Sequence, residues 1–131
     1  MPYVVERACE GRSAHVVCIV VGDGPDLPGV KAAAGRAGGV EFRFLGAVPN
    51  YQIHSLYAAA DVFIHPTYNE GFPRVILEAM AAGLPIVSTD AGGTVNLVGP
   101  KQRDYVLDRD DRGGFAMKLA AMPISAIYSA R

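Results

Sequence analysis

Glu70–Gly93, read E-G-F-P-R-V-I-L-E-A-M-A-A-G-L-P-I-V-S-T-D-A-G-G, sets a turn, a helix, a strand and a glycine loop end to end. Gly71, Phe72 and Pro73 open an apolar segment, and the spacing predicts a helix over Phe72–Ala82, with Pro73 pre-setting its first turn. Gly83 ends that helix, and the short apolar run Pro85–Ser88 reads as a buried strand closed by Gly92-Gly93. Loop, helix and buried strand in this order form the repeating unit of a parallel sheet, not of a hairpin.

Working outward, the same alternation recurs. Ala14–Val21 (A-H-V-V-C-I-V-V) is a near-continuous β-branched run ending at Gly22, a buried parallel strand. Leu27–Ala37 is Ala-rich and stops at Gly38-Gly39, a helix with a glycine end. Val40–Leu45 alternates as a strand less covered on one face. Tyr51–Ala60 carries Ile53, Leu56, Tyr57 and Ala60 as a helical stripe. Asp61–His65 is a further strand, Thr94–Val98 one helical turn, Tyr105–Leu107 a last strand, and Gly114–Met122 a last helix. The chain opens with a helix, Tyr3–Cys9, where a strand is the usual start. The expected fold class is α/β, a mostly parallel sheet with helices on both faces, in one domain spanning 1–131.

Bulk properties narrow the function. With 131 residues, 50% of them hydrophobic, the chain has material for one core. A net charge of -1 gives no electrostatic reason to expect nucleic acid or an acidic membrane as partner. No apolar run approaches the roughly 20 residues of a transmembrane helix. Cys9 and Cys18 fall in a helix and a buried strand, so two reduced thiols are expected, with the cytoplasm as compartment and its membrane surface as the alternative. Neither metal-ligand spacing nor a nucleophile–base triad is present, and Asp108–Arg112 (D-R-D-D-R) reads as a solvated loop.

The candidate site follows from charge placement. A helix start presents unpaired N–H groups and positive dipole, a natural seat for phosphate. Carboxylates beside it repel phosphate but accept hydrogen bonds from the hydroxyls of an attached sugar. Glu70 and Glu78 stand in that relation to the helix opened by Gly71, Phe72 and Pro73. Glu78 sits on an otherwise apolar helix, where the alternative is a surface pair with Arg74 in the less favourable cation-first order. Gly92, Gly93 and Thr94 follow a strand at the edge where open α/β sheets bind ligands. G-D-G-P at Gly22–Pro25 is not a dinucleotide fingerprint, since Leu27 stands where the third glycine belongs; Gly22 and Gly24 allow a tight turn, and Asp23 is structural. His65, ending a strand before Pro66, reads as a core residue.

These strings, taken in order, carry a resemblance. G-D-G-P at Gly22, F-L-G-A-V-P at Phe44, L-Y-A-A-A-D-V-F-I-H-P-T at Leu56, the Glu70–Glu78 motif and G-L-P-I-V-S-T-D-A-G-G at Gly83 together resemble the C-terminal domain of retaining glycosyltransferases of family 4, or glycosyl transferase group 1. The resemblance implies the Rossmann-like donor domain of a GT-B fold and a nucleoside-diphosphate sugar as substrate, with transfer to an acceptor hydroxyl and no obligatory metal or other cofactor. It implies that Glu70 contacts the transferred sugar near the reacting centre, that Glu78 holds the nucleotide ribose, and that Gly71 and Phe72 approach the sugar or diphosphate.

The resemblance also marks departures. Asn96 stands where the family usually has a Glu. The family's first strand, with the Arg and Lys that follow it, is expected before position 1, as is the N-terminal acceptor domain, so the sheet is expected to lack a strand and the returning helix after Ile124 to be incomplete. The chain therefore reads as a donor-binding part that is inactive alone. A non-catalytic nucleotide- or partner-binding module is the rival favoured by Asn96 and the missing cations, and a GT-B-fold sugar-nucleotide epimerase is the second.

Overall fold

The computed structural model describes residues 2–67 and 72–130. In chain order the elements are α1 (Pro2–Cys9), β1 (Val16–Val21), α2 (Leu27–Arg36), β2 (Val40–Gly46), α3 (Asn50–Ala59), β3 (Val62–His65) and α4 (Arg74–Ala81). There follow β4 (Ile86–Thr89), α5 (Thr94–Leu97), a 3₁₀ helix (Pro100–Tyr105), β5 (Val106–Leu107), α6 (Arg112–Ala120) and β6 (Ala126–Ala130). The six strands form one sheet in the order β2-β1-β6-β3-β4-β5, and every pairing is parallel.

The strands are short and apolar because both faces are covered. On one face Val16, Cys18 and Val20 of β1, Val62 and Ile64 of β3, and Ile127 of β6 pack beneath α1 and α6. On the other, Phe63 of β3, Ile86 of β4 and Tyr128 of β6 pack beneath Tyr57 of α3 and Ile76 and Ala79 of α4. The period-2 alternation thus sorts each strand's side chains into two cores. Arg12 ties the ends of two helices together, its guanidinium donating to the carbonyls of Ala120 (2.6 Å) and Met122 (2.8 Å) beyond α6 and to that of Ala8 in α1.

One expectation is overturned. The segment after Ile124 is not a helix. Residues 126–130 form β6, which pairs Cys18 with Ile127 on one side and Phe63 with Tyr128 on the other. Among the described residues the strand pairings join β2-β1 to β3-β4-β5 only through β6. Asp61, just ahead of β3, anchors its start: one carboxylate oxygen accepts from the Ser125 N–H, the Ser125 hydroxyl and the Ala126 N–H, each at 2.9 Å. Those backbone bonds hold the Asp61 carboxyl below its usual pKa.

A second consequence of the strand order positions the site. The helices that lead into the two neighbours of β6, α1 into β1 and α3 into β3, lie on opposite faces. Winding reverses at β6, and in open α/β sheets the crevice beyond the carboxyl ends at such a reversal is where ligands bind.

Candidate functional site

The glycine loops converge on that carboxyl edge. Gly22, leaving β1 with φ 120°, donates its N–H to the Gly46 carbonyl at the end of β2 (2.8 Å). This backbone conformation is one that glycine alone takes readily. Gly24 differs: its φ is not positive and a Cβ there meets open space, so the turn requires glycine at Gly22 and not at Gly24.

Beyond β4, Gly92 and Gly93 take φ 64° and 77° and turn the chain into α5. Asp90 accepts the Val95 N–H at 3.1 Å and fixes the start of that helix. Thr94, a sequence candidate for ligand contact, is fully buried, and its hydroxyl donates to the Ala91 carbonyl (2.8 Å). Its side chain is therefore used within the turn. Asn96 is exposed one turn further on. Beyond β3, the Thr67 N–H donates to the Thr89 hydroxyl at 2.9 Å, so the ends of β3 and β4 are cross-linked. His65 is buried and stacked on Phe63, with ring centroids 6.0 Å apart, as a core histidine should be.

Glu70 and Gly71 lie outside the described residues. Phe72 is 59% exposed and Pro73 is buried just before α4, so the proline stands at the N-cap and not within the first turn. The helix is amphipathic because Ile76 and Ala79 meet the sheet while Leu77 and Glu78 face outward. Glu78 does not pair with Arg74; its carboxylate accepts the hydroxyl of Tyr57 at 3.1 Å. Tyr57 is 2% exposed and packs edge-on against Tyr128 of β6 and Phe63 of β3. This bond joins α3 to α4 above the boundary between β6 and β3. Burial, and then the bond to Glu78, push the Tyr57 phenol far above its ordinary pKa, so it is always the donor. Burial first, and the Glu78 charge second, raise Tyr128 as well.

Two hollows open on the same edge. One, of about 470 Å³, lies at the end of β2 between Leu45, Val48 and Pro49 and the α3 residues Gln52 and Leu56. The other, of about 110 Å³, lies beyond β3 and β4 on the opposite face from Glu78, with Pro66, Thr89, Arg109 and Arg112 in its wall. Read from sequence, Asp108–Arg112 was only a solvated loop. Folding brings its arginines to the carboxyl edge of the sheet, and no local pattern signals this because the loop joins β5 at the sheet's margin to α6, which crosses back over β4. Asp111 of the same loop caps α6 by accepting the Gly114 N–H (2.9 Å). Among the described residues no three His, Cys, Asp or Glu side chains cluster to hold a metal ion. No described helix is long and apolar enough to cross a membrane.

Comparison with known proteins agrees with this architecture. The family model described as glycosyl transferases group 1 matches residues 1–122. A GDP-mannose-dependent alpha-mannosyltransferase of Mycolicibacterium smegmatis is 36% identical over 103 residues, covering 79% of this chain and 25% of that protein. A 2-deoxystreptamine glucosyltransferase of Streptomyces kanamyceticus is 37% identical over 97 residues, covering 73% and 24%. A D-inositol 3-phosphate glycosyltransferase of Salinispora arenicola is 34% identical over 116 residues, covering 83% and 26%. The chain spans about a quarter of the length of these curated relatives.

Proposed function

The chain belongs to the group 1 glycosyl transferases, and on that premise we propose that it is the donor-binding part of a retaining glycosyltransferase, the C-terminal Rossmann-like domain of a GT-B enzyme. The substrate is a nucleoside-diphosphate sugar, whose sugar passes to an acceptor hydroxyl carried by the N-terminal domain of the longer protein. The observation that carries this reading is that Gly22, Gly92-Gly93 and the start of the Glu78 helix each follow the carboxyl end of a strand in a sheet whose winding reverses at β6. Glycine loops let a diphosphate approach backbone N–H groups, and Glu78 supplies the acceptor that a ribose diol needs.

Glu70 takes the place next to the transferred sugar, with Gly71 and Phe72 beside it. Arg109 and Arg112 stand at the same edge on the face opposite Glu78, beside Asp111. The reading contains no metal step, and it places the protein in the cytoplasm, where Cys9 and Cys18 stay as thiols.

The test is calorimetric titration of the chain with GDP, UDP and ADP. One of the three is to bind saturably, and Glu78→Gln is to weaken that binding by about 1–2 kcal/mol, since the amide keeps one acceptor and loses the charge. Absence of binding by all three, in a chain that melts cooperatively, refutes the donor-site reading.

A further inference from the structure

The hydroxyl of Tyr57 touches the one carboxylate on which the ribose reading depends, and that contact has a use beyond satisfying a buried phenol. An exposed glutamate on a helix is free about three side-chain torsions, and ordering it on a ligand opposes binding. Glu78 is exposed on the outer side of α4, yet one of its oxygens is held at 3.1 Å by a hydroxyl that cannot move. The immobility comes from packing. The Tyr57 ring is 2% exposed and sits edge-on to Tyr128, with centroids 5.0 Å apart, and to Phe63, with centroids 6.0 Å apart. Tyr128 and Phe63 are themselves partners across the β6–β3 pairing, so the hydroxyl is referenced to the strands at the reversal point.

Resting on the donor-site reading above, we propose that Tyr57 is a positioning residue: it holds one oxygen of Glu78 so that the other is presented to a vicinal diol of the bound nucleotide. The tyrosine donates and the carboxylate accepts, which leaves the second oxygen with its full acceptor capacity for two ligand hydroxyls. A structural role alone would make Tyr57 matter for stability and be indifferent to whether the ligand carries hydroxyls.

The experiment compares the parent chain, Tyr57→Phe, Glu78→Gln and Glu78→Asp, each titrated with GDP and UDP and with their 2′,3′-dideoxy counterparts, beside a thermal melt. Tyr57→Phe is to weaken binding of the ribonucleotide by about 3- to 10-fold, the cost of ordering one side chain that is no longer held in place, and to leave the dideoxy ligand unchanged. Glu78→Asp, which keeps the charge but withdraws it from the hydroxyl, is to bind no better than Glu78→Gln, and this arm stands even where Tyr57→Phe does not fold. Equal loss for both ligands in Tyr57→Phe, no loss for either, or parental affinity in Glu78→Asp overturns the positioning role while a weakened Glu78→Gln keeps the donor-site reading. A parent chain that binds ribo and dideoxy ligands alike, with Glu78→Gln unaffected, overturns the reading itself and the positioning role with it.

Discussion

Replacing Asp61 by alanine removes three hydrogen bonds from the point where β6 enters the sheet. Bonds to a charged acceptor are worth about 1.5–3 kcal/mol in dry surroundings. Asp61 is exposed, so water takes over much of the loss, and the net effect is that of removing a helix cap, about 1–2 kcal/mol. With an unfolding entropy near 2.1 cal/mol/K per residue, 131 residues convert this into a fall in Tm of roughly 4–7 °C. Asp61→Asn keeps the shape and an acceptor but loses the charge, and is to lose about half as much.

The pH dependence has a definite sign. The Ser125 and Ala126 N–H groups lower the folded pKa of Asp61 relative to the unfolded chain. Its stabilisation is therefore fully present above the unfolded value, near 3.9, and is lost as pH falls through the folded one. Melts of the three proteins by circular dichroism, from neutral pH down to about pH 3, are to show an Asp–Asn gap that is constant above about pH 5 and closes below it. Hydrogen exchange at the Ile127 and Tyr128 amides is to quicken in Asp61→Ala. An alanine variant that melts with the parent at neutral pH, or an Asp–Asn gap that widens in acid, refutes the anchoring of β6 by this carboxylate.

Other outcomes follow from the same packing. Ile76, fully buried between α4 and the sheet, is to cost about 2–5 kcal/mol on truncation to alanine, measured by urea unfolding. Gly93→Ala forces a Cβ into φ 77° and is to destabilise by about 1–2 kcal/mol, whereas Gly24→Ala, in open space without a positive φ, is to stay within about 0.5 kcal/mol of the parent. Burial pushes the Cys18 thiol up to about 12 and raises Cys9 in the same direction, so both are to resist a thiol reagent at mildly alkaline pH and to react together once the chain is unfolded. The purified chain is to show no sugar transfer from any nucleotide-sugar to an acceptor, because on the proposed reading it lacks the acceptor half of the cleft; glycosylated product above a heat-killed control would contradict that.

Much of the fold was legible because apolar runs and glycine ends are local signals. Leu27–Arg36, Asn50–Ala59 and Val62–His65 lie within one residue of the expected helices and strand at each end. The strand β6 was not legible. Its sequence, A-I-Y-S-A, is too short for periodicity to separate strand from helix, and only pairing with β1 and β3 decides it. Ile127 and Tyr128, after Pro123 and Ser125, were the available hint, a β-branched and an aromatic residue behind a helix-breaking turn. In the site, Gly22 and Gly92-Gly93 could be placed from sequence because left-handed turns select glycine. The partner of Glu78 could not, since Tyr57 lies on another helix, whereas an Arg74 pair would have been local.

The place of β6 gives the polypeptide an order of assembly. In chain order β6 follows its five companions, and without it β2-β1 and β3-β4-β5 share no strand pairing, each left with an inner edge of unpaired N–H and C=O groups. Those edges invite the strands of other nascent copies. Closure then requires pairing residues as far apart in sequence as Val17 and Ala126, a loop whose entropy slows the step. The domain is thus committed late: a chain shortened by its last strand loses the middle of the sheet, not its margin, and two half-sheets that can aggregate are what remains.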